Sequence, residues 1–279
     1  MAKFTFIFII LLFIQQNLIA QKSHLFLLAG QSNSVGQGDS AASVKCKPNT
    51  AFEFNANSNS FIQLKDPVGK SWKLFQQAQT GSIAPSFANR LYELTHRSVY
   101  IVTTARSGAS CHRKAEMADY DTWDSTGKLF ADAVEKTKMA TITAKHKLSG
   151  IIWMQGERDA NAILNGQLTL DEYQEALEGL IKRFRDKFGK KLPFYIVLIA
   201  YQQDKPKWGC DAVRSVEQKV ASKIKRVYIA YSQTGEFAQH KWFKDIVHYN
   251  QDALNDIGIK TAEFIAFGNK NKLNINAKI

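Results

Sequence analysis

The sequence predicts an α/β domain in which helices cover both faces of a central, mostly parallel sheet of about five strands. Two observations predict it. Five apolar runs, at residues 24–29, 99–105, 150–154, 193–201 and 227–231, are continuous and rich in Ile, Val, Leu and aromatic residues. Strands buried on both faces read this way, whereas half-exposed strands alternate. Helical stretches alternate with these runs, at residues 85–96, 128–147, 170–188 and 211–223. A last helix is expected at 250–267, where Ala253, Leu254, Ile257, Ala262, Ile265 and Ala266 recur at helical spacing. Strand–helix alternation brings successive strands into a parallel sheet. Ligand sites of such sheets lie beyond the carboxyl ends of the strands.

Residues 1–20 stand apart from this pattern. Lys3 precedes an apolar run at 4–14, and Ala20 offers a small residue for cleavage. The run is shorter than the roughly 20 residues that span a bilayer. It reads as a secretory signal, with residues 21–279 as a single domain in a secreted or periplasmic protein. Three cysteines, Cys46, Cys111 and Cys210, would permit one disulfide after export. None has the spacing of a zinc site, so no metal is expected. The chain is 45% hydrophobic and 22% charged, which excludes a disordered chain. Its formal net charge is +12, with Lys and Arg scattered over helix faces and no nucleic-acid-binding motif. That charge favours an acidic polysaccharide over a nucleic acid. Residues 31–82 are rich in Asn, Ser, Gly and Lys. A segment this long invites two readings: a rim over the site pinned by Phe52, Phe54, Phe61 and Trp72, or a surface insertion with short strands.

The strand ends carry the chemistry. After the first comes Gly30-Gln31-Ser32-Asn33, which presents a serine hydroxyl at the top of the sheet. After the second comes Arg106-Ser107-Gly108, whose glycine can offer an unobstructed backbone N–H. After the third comes Gln155-Gly156-Glu157-Arg158-Asp159, with one amide donor and two acids. Two acids this close do not flank a sugar as a glycosidase pair must. They are read as structural or substrate-contacting. After the fifth comes Asp245-Ile246-Val247-His248, in which a carboxylate can orient an imidazole one turn away. His112 and His240 lack an Asp at that spacing. A nucleophile, a backbone donor, an amide donor and an Asp–His pair complete a set for acyl transfer.

The order of these blocks resembles the SGNH-type hydrolases, specifically the sialate O-acetylesterase and acetyl xylan esterase group, carbohydrate esterase family 6. Gly30-Gln31-Ser32-Asn33, Trp153-Met154-Gln155-Gly156-Glu157-Arg158-Asp159 and Asp245-Ile246-Val247-His248 match that group's three blocks, and residues 81–88 resemble its stretch before the first long helix. The resemblance implies a three-layer α/β/α sandwich of flavodoxin-like type, working without a cofactor or metal. It implies Ser32 as nucleophile, His248 as base and Asp245 as its orienter. It implies an oxyanion hole from the N–H groups of Ser32 and Gly108 and the side chain of Gln155. Gln31, Asn33 and Glu157 are then supporting or substrate-binding residues, and the partner is an acetylated carbohydrate. Ser107, Ser34 and Arg158 depart from the group's usual residues, which touches substrate preference more than reaction type. Two other readings remain: a non-catalytic carbohydrate-binding protein on this scaffold, or an esterase of a non-carbohydrate acyl ester.

Overall fold

The computed structural model describes residues 23–275, with side chains as far as residue 268. The expected signal segment lies outside the described residues. Seven strands form one sheet: β1 (His24–Gly30), β2 (Ala51–Asn55), β3 (Ser60–Gln63), β4 (Val99–Ala105), β5 (Gly150–Met154), β6 (Phe194–Val197) and β7 (Val227–Tyr231). Their order is β3-β2-β4-β1-β5-β6-β7. All pairings are parallel except the β2–β3 hairpin. The five expected strands supply the unbroken run β4-β1-β5-β6-β7, which is the flavodoxin-like order.

Seven α-helices accompany the sheet among the described residues: α1 (Ser32–Val35), α2 (Ala84–Thr95), α3 (Leu129–Ala144), α4 (Glu157–Leu164), α5 (Leu170–Phe188), α6 (Trp208–Lys223) and α7 (Gln251–Ile275). Alternate residues of each strand enter different cores, because strand side chains point to opposite faces. Phe26, Leu28, Ile152 and Met154 pack with Phe87 and Leu91 of α2 and Leu254 and Ile257 of α7. Leu25, Leu27, Ile151 and Trp153 pack with Ala133 of α3, Leu177 and Phe184 of α5, and Val213 and Val216 of α6. Helix, sheet and helix therefore form three layers.

The structure corrects several expectations. The sheet has two more strands than the five expected, and both come from the 31–82 segment. Phe52 stacks on Tyr100 at 5.0 Å between ring centres, and Phe61 meets the same ring edge-on at 4.8 Å. These aromatics extend the sheet. The expected strand at 193–201 leaves the ladder after Val197, where the register with β7 shifts. Residues 198–200 stay buried, with the carbonyl of Ile199 accepting from the Thr234 hydroxyl at 3.0 Å. The helix expected to reach 147 stops at Ala144, because Lys145 turns into the left-handed region. Helix α4 was not anticipated, since its first turn holds two acids that turn inward. The three cysteines are free thiols, Cys46 and Cys111 in loops and Cys210 in α6. No described helix is long and apolar enough to cross a membrane.

The register places the site. Gly30 lies opposite Ala105 on one side and Met154 on the other, so three strands end level. The chain leaves β1 at Gly30 with φ of +148°, and a Cβ there would lie 1.9 Å from the Met154 carbonyl oxygen. Only glycine permits that approach. Gly30→Ala should therefore lower the unfolding free energy by more than about 3 kcal/mol, measured by urea denaturation. Wild-type stability in that variant would show that the strands need not approach so closely.

Candidate active site

Ser32 begins α1 directly beyond β1. The chain folds sharply here: the Gln31 carbonyl accepts from the N–H groups of Ser34 (2.8 Å) and Val35 (2.9 Å), and that of Ser32 from Gly36 (3.0 Å). The Ser32 N–H has no acceptor among the described residues. Ser32 is only 5% exposed. It lines a cleft of about 290 Å³ together with Gly108, Met117, Tyr120, Arg158 and His248.

His248 is fixed by its own turn. Asp245 Oδ1 accepts from the N–H groups of Val247 (2.9 Å) and His248 (2.7 Å). Asp245 Oδ2 lies 2.8 Å from His248 Nδ1. One carboxylate thus holds both backbone and ring, which leaves Nε2 as the ring's other edge. Burial raises the Asp245 pKa, but those N–H donors and the imidazole outweigh it and hold the carboxyl below its ordinary value. The pair is open to water, with the Asp245 side chain 46% exposed. Ser32 and His248 share the cleft without a hydrogen bond between them.

Gly108 completes the wall opposite. Its φ is +75°, and a Cβ would lie 2.7 Å from the Tyr120 ring. Its N–H also lacks an acceptor among the described residues. The neighbouring backbone is tied down: the Ser107 N–H donates to Gln76 Oε1 at 2.8 Å, and the Ala109 N–H to the Arg106 carbonyl at 3.2 Å.

Beneath the cleft, buried side chains lash these turns together. Asn33 straddles His248: its Nδ2 donates to the Val247 carbonyl (3.3 Å) and its Oδ1 accepts from the Tyr249 N–H (3.1 Å). The same Nδ2 donates to Glu157 Oε1 at 2.7 Å. The Tyr249 hydroxyl also donates to that oxygen, at 3.4 Å, while accepting from the Ala200 N–H at 2.9 Å. Gln31 Oε1 accepts from the N–H groups of Gly156 and Arg158, each at 3.3 Å. Asp159 accepts from the N–H groups of Cys111 (2.8 Å) and His112 (2.9 Å), which secures the turn bearing Gly108. Burial pushes the Glu157 and Asp159 carboxyls up, against the pull of their hydrogen bonds.

Gln155 requires a correction. Its side chain was expected to face an oxyanion. It is fully buried, and its Nε2 is surrounded by Gln31 Oε1 (3.2 Å), the Ala109 carbonyl (3.2 Å) and Asp159 Oδ2. An amide nitrogen has two hydrogens to give, so none is left for a ligand. Gln155 joins the Ser32 turn to the Gly108 turn from behind.

The two acids of that block are likewise structural, although Glu157 also borders the cleft. His112 and His240 lie apart: His112 Nδ1 accepts from the Lys114 N–H at 3.0 Å, and His240 sits 3.7 Å from Glu236. Tyr249 and Gln76 were missed by sequence reasoning. Only the adjacency of Tyr249 to His248 could have pointed to it. Among the described residues no group of His, Cys, Asp and Glu could hold a metal ion.

The lashing predicts two opposite mutant effects. Asn33→Ala strips partners from Val247, Tyr249 and Glu157 at once, and should cost about 2–4 kcal/mol. Glu157→Gln keeps an acceptor for Asn33 and removes a buried charge. Because the Glu157 carboxyl titrates high in the folded protein, its ionisation costs stability as pH rises from the ordinary value of about 4.3 towards the raised native one. Denaturation across that range should show the variant gaining on the wild type as pH rises. A parallel pH dependence would refute the assignment.

The family described as carbohydrate esterase, sialic acid-specific acetylesterase matches residues 22–266. A solved structure of a protein from Arabidopsis thaliana is similar, with TM-score 0.68, 19% identity, and coverage of 88% of this chain and 98% of that one. NanS is similar with TM-score 0.63, 15% identity, and coverage of 88% and 97%. A carbohydrate acetylesterase from Xanthomonas citri gives TM-score 0.53 and 19% identity, over 88% of this chain and 57% of its own. No curated protein matches the sequence. These structural likenesses bear on the fold. The family match bears on the chemistry: this chain belongs to the sialic acid-specific acetylesterase family of carbohydrate esterases and is a carbohydrate O-acetylesterase.

Proposed function

We propose that the chain removes O-acetyl groups from a glycan by a Ser-His-Asp acyl-enzyme mechanism. The observation that carries this is the meeting, in one cleft, of the Ser32 hydroxyl, two backbone N–H groups free of acceptors, and an imidazole held by a carboxylate. Ser32 Oγ attacks the acetyl carbonyl carbon while His248 Nε2 takes its proton. The oxygen that becomes negative is held by the N–H groups of Ser32 and Gly108, donors aimed where charge develops. Asp245 stabilises the imidazolium. The C–O bond to the sugar breaks, and the sugar oxygen leaves with the proton from His248. Water then attacks the acetyl-serine, giving its proton to His248, and Ser32 is restored as acetate departs. The free enzyme has no Ser32–His248 hydrogen bond, and contacts of this kind tighten as substrate binds.

The same cleft supports an acidic substrate. Arg158 Nε donates to the Ala115 carbonyl at 2.8 Å, and its guanidinium has no acidic partner within ion-pair distance among the described residues. It borders the cleft beside Ser32, where Oε1 of Glu157 is committed to Asn33. A half-buried guanidinium without a counter-ion suits a sugar carboxylate. The apolar run at 4–14 supports action outside the cytoplasm.

Acetate release from a panel of acetylated glycans tests the mechanism. Ser32→Ala should lose about 10⁴-fold or more in kcat. Asp245→Asn keeps the two backbone contacts through its carbonyl and should lose less. Retained turnover in Ser32→Ala would reject the nucleophile. Arg158→Gln should lower kcat/KM about tenfold more for a carboxylate-bearing acetylated sugar than for a neutral one. Equal losses on both would remove Arg158 from substrate recognition.

A further inference from the structure

A second groove adjoins the cleft. It encloses about 450 Å³, more than the cleft itself, and shares Ser107 and His248 with it as common walls. Its remaining lining is Val35, Gln37, Gln76, Gln77 and Gln79. Four of seven lining residues are therefore glutamines, and His248 is the one titratable group. The segment that supplies them is the 31–82 stretch, beyond the turn of Ser32.

These amides are only partly used by the protein. Gln76 commits Oε1 to the Ser107 N–H and keeps both hydrogens of Nε2. Gln77 commits Nε2 to the Pro67 carbonyl at 3.3 Å and keeps Oε1. The side chains of Gln37 and Gln79 make no hydrogen bond with the described residues. The Gln37 carbonyl is nevertheless pinned by Lys244 Nζ at 2.9 Å, and the Gln79 N–H by the Gly36 carbonyl at 3.0 Å. The backbones are fixed while the amide heads remain available. An amide gives and accepts hydrogen bonds within one group, as a sugar hydroxyl does. The groove offers no fixed charge to an ion and no aromatic face to a base.

We propose that this groove is a sugar subsite, which holds the next residue of a glycan chain while the acetylated residue occupies the cleft beside Ser32 and Arg158. The proposal rests on the esterase reading above and deepens it: the substrate is an oligosaccharide or polysaccharide that passes His248, and a free monosaccharide is a poor one. The chain carries its acyl group into the cleft and its unmodified neighbour into the amide groove.

The test compares an acetylated monosaccharide with a trisaccharide carrying the same acetyl group, with p-nitrophenyl acetate as a measure of Ser32 chemistry. The wild type should favour the trisaccharide by about tenfold or more in kcat/KM, the worth of two or three hydrogen bonds. In Gln37→Ala/Gln79→Ala that preference should fall to near unity, chiefly through KM. Both side chains reach solvent, so the double variant should fold, and its Tm confirms that it does. The unacetylated trisaccharide should compete with the acetylated one for the wild type and far less for the variant. Equal kcat/KM for monosaccharide and trisaccharide in the wild type would overturn the subsite, as would a preference that survives in the double variant. Failure of the esterase reading looks different: Ser32→Ala would then still release acetate from p-nitrophenyl acetate.

Discussion

One buried hydrogen-bond network holds the cleft together. Loops from four places in the chain must meet at one edge of the sheet, yet α/β sheets control only where strands end. Asn33 binds the backbone on both sides of His248, Glu157 binds Asn33, Gln155 and Gln31 join the Ser32 turn to α4, and Asp159 seizes the turn of Gly108. Each of these groups is buried, so an unmet bond would carry nearly its full desolvation cost. That cost is what makes the arrangement specific. A displaced His248 loop would leave Asn33 and then Glu157 unsatisfied, and the error would spread.

This explains a division between groups that are buried and groups that are open. Asp159 and Gln155 are sealed beneath the cleft, Glu157 is buried at its border, and burial pushes the Glu157 and Asp159 carboxyls up. Asp245 and His248 face water, and their mutual attraction is screened. An exposed pair could wander. It does not, because Asp245 is also bonded to two N–H groups of its own turn and that turn is gripped from below by Asn33. Positional rigidity comes from the buried layer, and reactivity is left to the wet one.

The sequence shows much of this, and the limits are instructive. Five strand runs were legible because strands covered on both faces are uniformly apolar, and each supplies one strand of the sheet. Ser32, Gly108 and His248 were legible by position, since each follows a strand end. The hairpin β2–β3 was legible only as unplaced short strands in the 31–82 segment, because half-buried residues such as Phe61 and Ile62 stand among Asn, Ser and Gln. Helix α4 was hidden by Glu157 and Asp159, acids that a pattern reader places outside. Gln155 misled in a different way. Residue type reveals that a side chain can donate, but the direction of donation depends on acceptors far along the chain, here the Ala109 carbonyl and Asp159. Tyr249 was missed because a tyrosine after a catalytic-type histidine carries no pattern of its own.

The motif blocks can thus be read again as instructions for assembly. In Gly30-Gln31-Ser32-Asn33, Ser32 and Gln31 border the cleft; Gly30 admits the Met154 carbonyl, and Gln31 and Asn33 fasten two other loops. In the block around Glu157, Arg158 is the member with a side chain turned to the cleft and uncommitted hydrogens. A substitution at Arg158 disturbs no buried partner beyond the Ala115 carbonyl, whereas one at Gln155 or Asp159 loosens two turns. Residues free of the network can therefore change with the substrate while the network stays fixed. Arg158 on one side of His248 and Gln37 and Gln79 on the other meet that condition. They surround the reacting atoms without being needed to hold them in place.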